Sequence, residues 1–479
     1  MTMQKHELMM HHGAGAIDEV ACQQPNSSAP NACRSKDRRV ARQQPNLPAP
    51  NACRSKRMST PPCASLPSLL APLPLRSFLA EHWERAPLLA HGAAHRFAAL
   101  EQARLRDAPA AARCVPAVDI DELDADAVRA EAAQAGAGGA ALHGRDVRLV
   151  RCEAGVERFF CAAGEAVDAA TLRDAAAAGC TVALRAANLR CSVAAAVADA
   201  LSDALGLPVA ANLYATPAKQ HGLACHYDDH DVFALQLAGT KQWRVHPDSC
   251  GAHLPRLFAQ RRAPELDAAH AATFTLTAGD VLYIPRGWPH SAAAQDGPST
   301  HLTLAIEVPP PFEWAAALHV ALRLAAGCTP RWSGEEVLLH AAVRSLADAE
   351  ASLRAACLGD MLLDDTGKAA YGALLPLLGR VSMHDAREAA LRYDDCDSGF
   401  SWLAHLPCGE EQCWRARADA FYDALEGAAD AGDAFTQLKL AAAAQPWEAV
   451  RAELRTLRAR YRDAHAAYGR HMRALHEHP

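Results

Sequence analysis

Twelve residues near the middle of the chain restrict its fold more than any other stretch. From Gly279 to His290 the sequence is GDVLYIPRGWPH. Gly-Asp is turn chemistry, VLYI has the content of a short buried strand, and Pro285-Arg286-Gly287 makes a second turn. The pattern G-D-x-x-x-x-P-x-G-x-x-H thus delivers His290 to the start of the next strand. The whole of residues 211–310 has this character, with strand runs broken by Gly, Pro and Asp.

Sixty-four residues before His290 stands HYDDHD, residues 226–231. In a regular strand, residues two apart point the same way, so His226 and Asp228 share a face that His230 can join, while Tyr227 and Asp229 point opposite. Two readings are open for this cluster alone. It is either a metal site needing at least one more ligand from elsewhere, or a polar edge whose Asp and His side chains face water. Two histidines and one carboxylate hold one face of an octahedral iron and leave its other positions open. In a double-stranded β-helix, His290 would point into the barrel toward the strand carrying His-x-Asp, and the separation leaves room for the strands between. FALQLAG followed by TKQWRV reads as two strands joined by a tight turn at Ala238-Gly239-Thr240, with Lys241 opening the return strand.

The rest of the chain frames this core. LPSLLAPLPLRSFLAEHWERAPLLA, from Leu66, puts Phe78, Leu79 and Trp83 at helical spacing before Pro87. Residues 97–210 alternate Ala-rich helical stretches with the strand candidates VRLVRCEA (147–154) and CTVALRAA (180–187). After PPPFEW (309–314) the pattern is helical almost to the end, closing in a segment that reads as one or two amphipathic helices with basic, solvated faces. The expected class is α+β: a β-helix core with flanking helices and a mostly helical C-terminal region.

Residues 1–57 carry a near-duplicate, QQPNSSAPNACRSK at 23–36 and QQPNLPAPNACRSK at 43–56, with almost nothing apolar to bury. A disordered tail is expected there, and Met58 offers an alternative translation start. Eight Lys/Arg between 31 and 57 make this tail basic. The net charge of −7 nevertheless gives no general footprint for nucleic acid. The 16 cysteines are scattered with no CxxC pair, which favours reduced thiols. With no apolar run of membrane-spanning length and no signal-like N-terminus, a cytoplasmic location is expected.

NLYATPAKQHGLACHYDDHDVFALQLAGTKQWRVHP, with IPRGWPH and HLTLAIE downstream, resembles the JmjC-type ribosomal oxygenases, cupin-fold hydroxylases of proteins that use iron(II), 2-oxoglutarate and O2. FLAEHWERAPLLA is similar to the Phe…Trp-Glu-x-x-Pro-Leu segment of that family. The resemblance runs over about residues 66–310 and is weak between about 100 and 205. It implies an oxygenase domain over 58–310 with core motifs in 211–308. It also implies a C-terminal region, 311–479, with dimerisation and winged-helix parts.

Carried over residue by residue, the resemblance makes His226, Asp228 and His290 the catalytic iron ligands and leaves Asp229 and His230 outside. Lys241 matches the lysine that pairs with the far carboxylate of 2-oxoglutarate in histidine-hydroxylating members; arginine-hydroxylating bacterial members resemble it with arginine there. A charge at that place needs a partner, because a buried unpaired charge is very costly. Asn212 and Tyr214 match an Asn-x-Tyr that helps hold cosubstrate and substrate. His301 and Thr303 share a strand face and are expected to support the site by hydrogen bonds, Thr303 toward the cosubstrate and His301 toward the substrate. Arg286, beside the last ligand, is a further candidate for substrate contact. Ala305 departs from the eukaryotic histidine hydroxylases, which resemble this segment with serine there, and the stretch from His290 to His301 is shorter.

The implied function is hydroxylation of a protein side chain, histidine or arginine of a ribosomal protein, by a homodimer that binds neither membrane nor nucleic acid. The alternatives are a peptide natural-product hydroxylase, a lysine demethylase, a cupin isomerase needing neither Lys241 nor 2-oxoglutarate, and a non-catalytic cupin module that docks a partner.

Overall fold

A computed structural model describes residues 66–97, 141–190, 192–247, 252–257, 270–328, 333–392 and 432–477. All belong to one compact unit, Pro61–Pro479. The repeat-bearing tail and most of the first Ala-rich stretch lie outside the described residues.

Eleven strands are found among them: β1 (Leu88–Ala90), β2 (Val147–Glu153), β3 (Val156–Phe159), β4 (Thr181–Leu184), β5 (Val209–Thr216), β6 (Asp231–Ala238), β7 (Lys241–Val245), β8 (Ala272–Leu276), β9 (Val281–Ile284), β10 (His290–Ala294) and β11 (Ser299–Ile306). They form an eight-stranded sheet in the order β1-β9-β6-β11-β5-β4-β2-β3 and a three-stranded sheet in the order β10-β7-β8. The pairings are antiparallel throughout.

Strand alternation gives the large sheet two different faces. Leu302, Leu304 and Ile306 of β11 join Phe233, Leu235, Val281 and Tyr283 in a core with Leu66, Leu69, Phe78 and the helix Ser192–Leu205. Burying each such side chain is worth about 1.5–3 kcal/mol. The opposite face presents Val232, Ala234, Leu282 and Ile284 to Trp243, Val245 and Leu276 of the small sheet. The two sheets thus enclose a barrel interior, the α+β cupin arrangement expected from the sequence.

FALQLAG and TKQWRV are both strands, β6 and β7, but they do not form a hairpin. β6 pairs with β11 and β9 in the large sheet, β7 with β10 and β8 in the small one. The Ala238-Gly239-Thr240 turn carries the chain from one sheet to the other. Gly239 sits at φ 67°, and a Cβ there would lie 2.0 Å from the Pro298 carbonyl oxygen, so only glycine fits this crossing.

The segment around Phe78 is helical, as its spacing predicts. It is broken into Leu66–Leu70, Leu75–Ser77 and a wide π-type turn over Phe78–His82, after which β1 pairs with β9. Among the described residues no strand follows Ile306. Helices Ala315–Ala325, Gly334–Ala349, Asp360–Arg380, Met383–Arg392, Gly432–Ala443 and Trp447–Glu477 pack around a second core. The last helix also reaches the barrel. Arg458 donates to the Pro311 carbonyl at 2.9 Å, and the rings of Tyr461 and Phe312 are 5.4 Å apart. No described helix is long and apolar enough to cross a membrane.

Candidate metal centre and cosubstrate pocket

His226 and Asp228 do not lie on a regular strand. β6 begins only at Asp231, and residues 227–230 are irregular. Backbone bonding to the turn before β10 sets their approach instead. His226 N–H donates to the His290 carbonyl at 3.1 Å, His290 N–H to the His226 carbonyl at 2.7 Å, and Gly287 N–H to the Asp228 carbonyl at 2.8 Å. Gly287, at φ 85°, is needed here because a Cβ would meet the Ala252 carbonyl oxygen at 1.6 Å.

The three side chains converge. Nε2 of His226 is 3.8 Å from Asp228 Oδ1, Nε2 of His290 is 3.5 Å from Asp228 Oδ2, and the three ligand atoms lie within 4.8 Å of one another. Atoms bonded to one first-row ion at about 2.1 Å stand roughly 3.0–3.5 Å apart, close to the two His–Asp separations, so the three side chains need only draw together to complete a site. Both histidines are set up for this. His226 Nδ1 bonds the Ala224 carbonyl at 2.8 Å and His290 Nδ1 the Trp288 carbonyl at 3.0 Å. A carbonyl only accepts, so each ring carries its proton on Nδ1 and turns an Nε2 lone pair inward. Burial and the neighbouring His226 ring push His290 down to about 4, which keeps it neutral at pH 7.

His230 is not part of this set. Burial alone would lower its pKa, but Asp228, with the hydrogen bond that Nδ1 donates to Asp229 at 3.0 Å, raises it to about 9. A protonated imidazole has no lone pair to give. Asp231 faces elsewhere: it accepts from the Tyr283 hydroxyl at 2.8 Å and the Arg286 N–H at 3.2 Å, fully buried.

The second half of the site is a buried cation. Lys241 is 2% exposed, and Nζ donates to Thr216 Oγ1 at 2.9 Å and faces His301 Nδ1 at 3.4 Å. Among the described residues no carboxylate pairs with it, and burial lowers its pKa to about 7. The His301 ring is held well below its usual value by burial and by Lys241, so it accepts through Nδ1. It stacks on Tyr214 at 4.9 Å with the planes 6° apart. Lys241 pairs with Ala294 and Val245 with His290 across β7 and β10. Lysine and metal ligand are therefore four residues, about 13 Å, apart along the barrel, a gap that a lysine stem and a short dicarboxylate span together.

Asn212 and Tyr214 stand opposite Thr303 and His301 across β5 and β11, on the face that bears Lys241's partner Thr216. Asn212 Oδ1 accepts from the Ala186 N–H at 3.0 Å. Arg286 is not among them. Its guanidinium is fully buried away from the barrel, bonded to Glu84 at 2.7 and 3.1 Å and to the Pro255 carbonyl at 3.2 Å. With its donors committed, it braces the turn before His290 and offers nothing to a substrate.

Two residues of this region escape the motif reading. Thr216 is found by extending the Asn212–Tyr214 alternation one step. Trp243 follows Lys241 by two on β7, its ring 6.0 Å from His290 and 5.2 Å from His301, its buried Nε1 lacking a partner among the described residues.

Residues 187–313, which include every one of these barrel-lining residues, match the family model described as JmjC domain. Over those residues the chain is therefore similar to a JmjC domain. Over 133 residues it is 39% identical to the bifunctional lysine-specific demethylase and histidyl-hydroxylase NO66 of Brugia malayi, covering 27% of this chain and 19% of that protein. Over 251 residues it is 29% identical to ribosomal oxygenase 2 of Rattus norvegicus, covering 51% and 47%. The crystal structure of the Escherichia coli ribosomal oxygenase YcfD aligns at 20% identity with a TM-score of 0.31, covering 50% of this chain and 52% of that one. The chain thus spans between about a fifth and about a half of the length of the curated relatives named.

Proposed function

We propose that this JmjC domain is an Fe(II)- and 2-oxoglutarate-dependent oxygenase that hydroxylates a side chain of a protein, with a ribosomal protein as the substrate that the relatives' names suggest. One observation carries the reading: a two-histidine, one-carboxylate cluster and a buried lysine that has no counter-ion among the described residues share one barrel. His226, Asp228 and His290 would hold the iron, which with 2-oxoglutarate and O2 supplies the oxidising power to insert oxygen into a C–H bond.

The chain's own groups do the rest. Lys241, held by Thr216 and His301, pairs with the distal carboxylate of the cosubstrate and so fixes which end meets the metal. That pairing also supplies the anion its buried charge lacks. Tyr214, stacked on His301, and Asn212 with Thr303 line the wall between. The apolar layer of Val232, Leu282, Ile284 and Trp243 keeps water from the reacting centre. A binding module without catalysis has no use for an unpaired buried lysine beside three converging ligands. Self-association through the helical region belongs to the same proposal and is tested by sedimentation.

The decisive experiment supplies the full chain with Fe(II), 2-oxoglutarate and O2 and measures succinate. Turnover is expected in the wild type and absent from His226→Ala and Asp228→Ala. Mass spectrometry of ribosomal proteins incubated with the enzyme should then show the gain of one oxygen atom. Turnover retained in both variants refutes the assignment.

A further inference from the structure

The eight-stranded sheet continues beyond the site to a hairpin that the chemistry above does not use. Tyr214 and Thr216 on β5 share a face with Ala183 and Thr181 on β4, which lie opposite Arg148 and Val150 on β2. Val150 and Cys152 lie opposite Phe159 and Glu157 on β3. The face that lines the cosubstrate pocket therefore ends, at the sheet edge, in Glu157.

Glu157 is engaged on both oxygens. Oε2 accepts from Arg148 NH2 at 3.1 Å, and Oε1 accepts from the Ala224 N–H at 3.3 Å. Arg148 is itself held over the Phe159 ring at 5.2 Å. Ala224 is the residue whose carbonyl takes the Nδ1 proton of His226 at 2.8 Å. The same stretch is tied down once more, by Cys152 N–H to the His221 carbonyl at 3.2 Å. An irregular segment thus presents a metal ligand, and a charged side chain from a separate hairpin grips the residue that orients that ligand.

We propose that Glu157, backed by Arg148, is a positioning residue for the metal centre. It holds Ala224 so that its carbonyl fixes the tautomer and ring plane of His226. This inference rests on the reading of His226, Asp228 and His290 as iron ligands. Groups one step behind a ligating histidine set its basicity and direction, and losing such a partner costs about 10–100-fold in metal affinity. Glu157 is not one of the three converging ligands, so its removal acts on the metal centre through Ala224 and His226.

The test titrates the full chain with Co(II) under anaerobic conditions and follows affinity and the visible d–d spectrum. Circular dichroism and thermal melting report the fold in parallel. Glu157→Ala should lower Co(II) affinity about 10–100-fold and change the spectrum. Glu157→Gln, whose amide oxygen still accepts from Ala224, should stay within about threefold of wild type. If Glu157→Ala fails to fold, Glu157→Asp takes its place. It keeps the charge but is one methylene too short to reach Ala224, and the same loss is expected. Wild-type affinity and spectrum in the folded Ala or Asp variant, with His226→Ala unable to bind, would overturn the positioning role and leave the metal centre standing. A wild-type chain that binds no Co(II) would overturn both.

Discussion

Replacing Lys241 with methionine separates what the lysine does for the fold from what it does for the cosubstrate. Burial lowers the Lys241 pKa from 10.5 to about 7, so the folded chain holds its proton less tightly than the unfolded one. At about 1.36 kcal/mol per tenfold change, burying this charge costs about 5 kcal/mol. Between pH 7 and 10.5 the unfolded state binds more protons than the folded state, so stability rises with pH across that window. Below about pH 7 the lysine is charged in both states and the full cost is present. The ligand-free Lys241→Met variant should therefore be more stable than wild type by a few kcal/mol at pH 6. The gain should fade as pH rises toward 10.5. The same substitution should weaken 2-oxoglutarate binding by at least about 100-fold, since the distal carboxylate then enters an apolar barrel unpaired. In the wild type, cosubstrate binding above pH 7 should be accompanied by proton uptake, because the carboxylate favours charged lysine. Urea unfolding of both proteins from pH 6 to 10 and calorimetric titration in buffers of different ionisation enthalpy measure these effects. Identical pH slopes for wild type and variant, or 2-oxoglutarate affinity unchanged by the substitution, would refute the reasoning.

Two further outcomes follow from contacts around the site. Glu84→Ala strips the fully buried Arg286 of its carboxylate at 2.7 Å and should destabilise the chain by about 3–5 kcal/mol in urea unfolding. The double variant Glu84→Leu/Arg286→Met should recover much of that loss. Gly287→Ala forces a side chain into φ 85° and against the Ala252 carbonyl. A cost of about 1–3 kcal/mol with a parallel drop in Co(II) affinity is expected, because the Gly287 N–H holds the Asp228 carbonyl; a fall in stability with metal affinity unchanged would separate this turn from the site.

What the sequence discloses about this site follows from how local each signal is. The turn-strand-turn run to His290 uses turn chemistry fixed within twelve residues, and β9 and β10 lie where that pattern puts them. The face shared by Asn212, Tyr214 and Thr216 is legible because β5 is a regular strand. His226 and Asp228 are brought together by backbone bonds to residues more than fifty positions away, which strand alternation does not describe. β6 and β7 read as a hairpin because a glycine turn separates two apolar runs. Nothing local says that Gly239, pressed against Pro298, sends the second run into another sheet. Arg286 lies beside a metal ligand in sequence, while Glu84, the carboxylate that claims it, is 202 positions distant. Glu157 is a lone carboxylate on an edge strand until the backbone of Ala224 is seen beneath it.

The ion pair of Arg286 and Glu84 has a consequence for how the barrel moves. Glu84 also accepts from the Ala356 N–H at 3.0 Å, and Arg286 donates to the Arg354 carbonyl, so one rivet fastens the N-terminal segment, the approach to His290 and the helical region. The approach to His226 hangs from short backbone bridges and a half-exposed hairpin. Stiffness is therefore unevenly shared between the two histidines: one is an anvil, the other a spring. If the chain turns over 2-oxoglutarate as proposed, the breathing that admits it and releases succinate belongs on the side of His226, and hydrogen exchange should be faster over residues 221–230 than over 281–290.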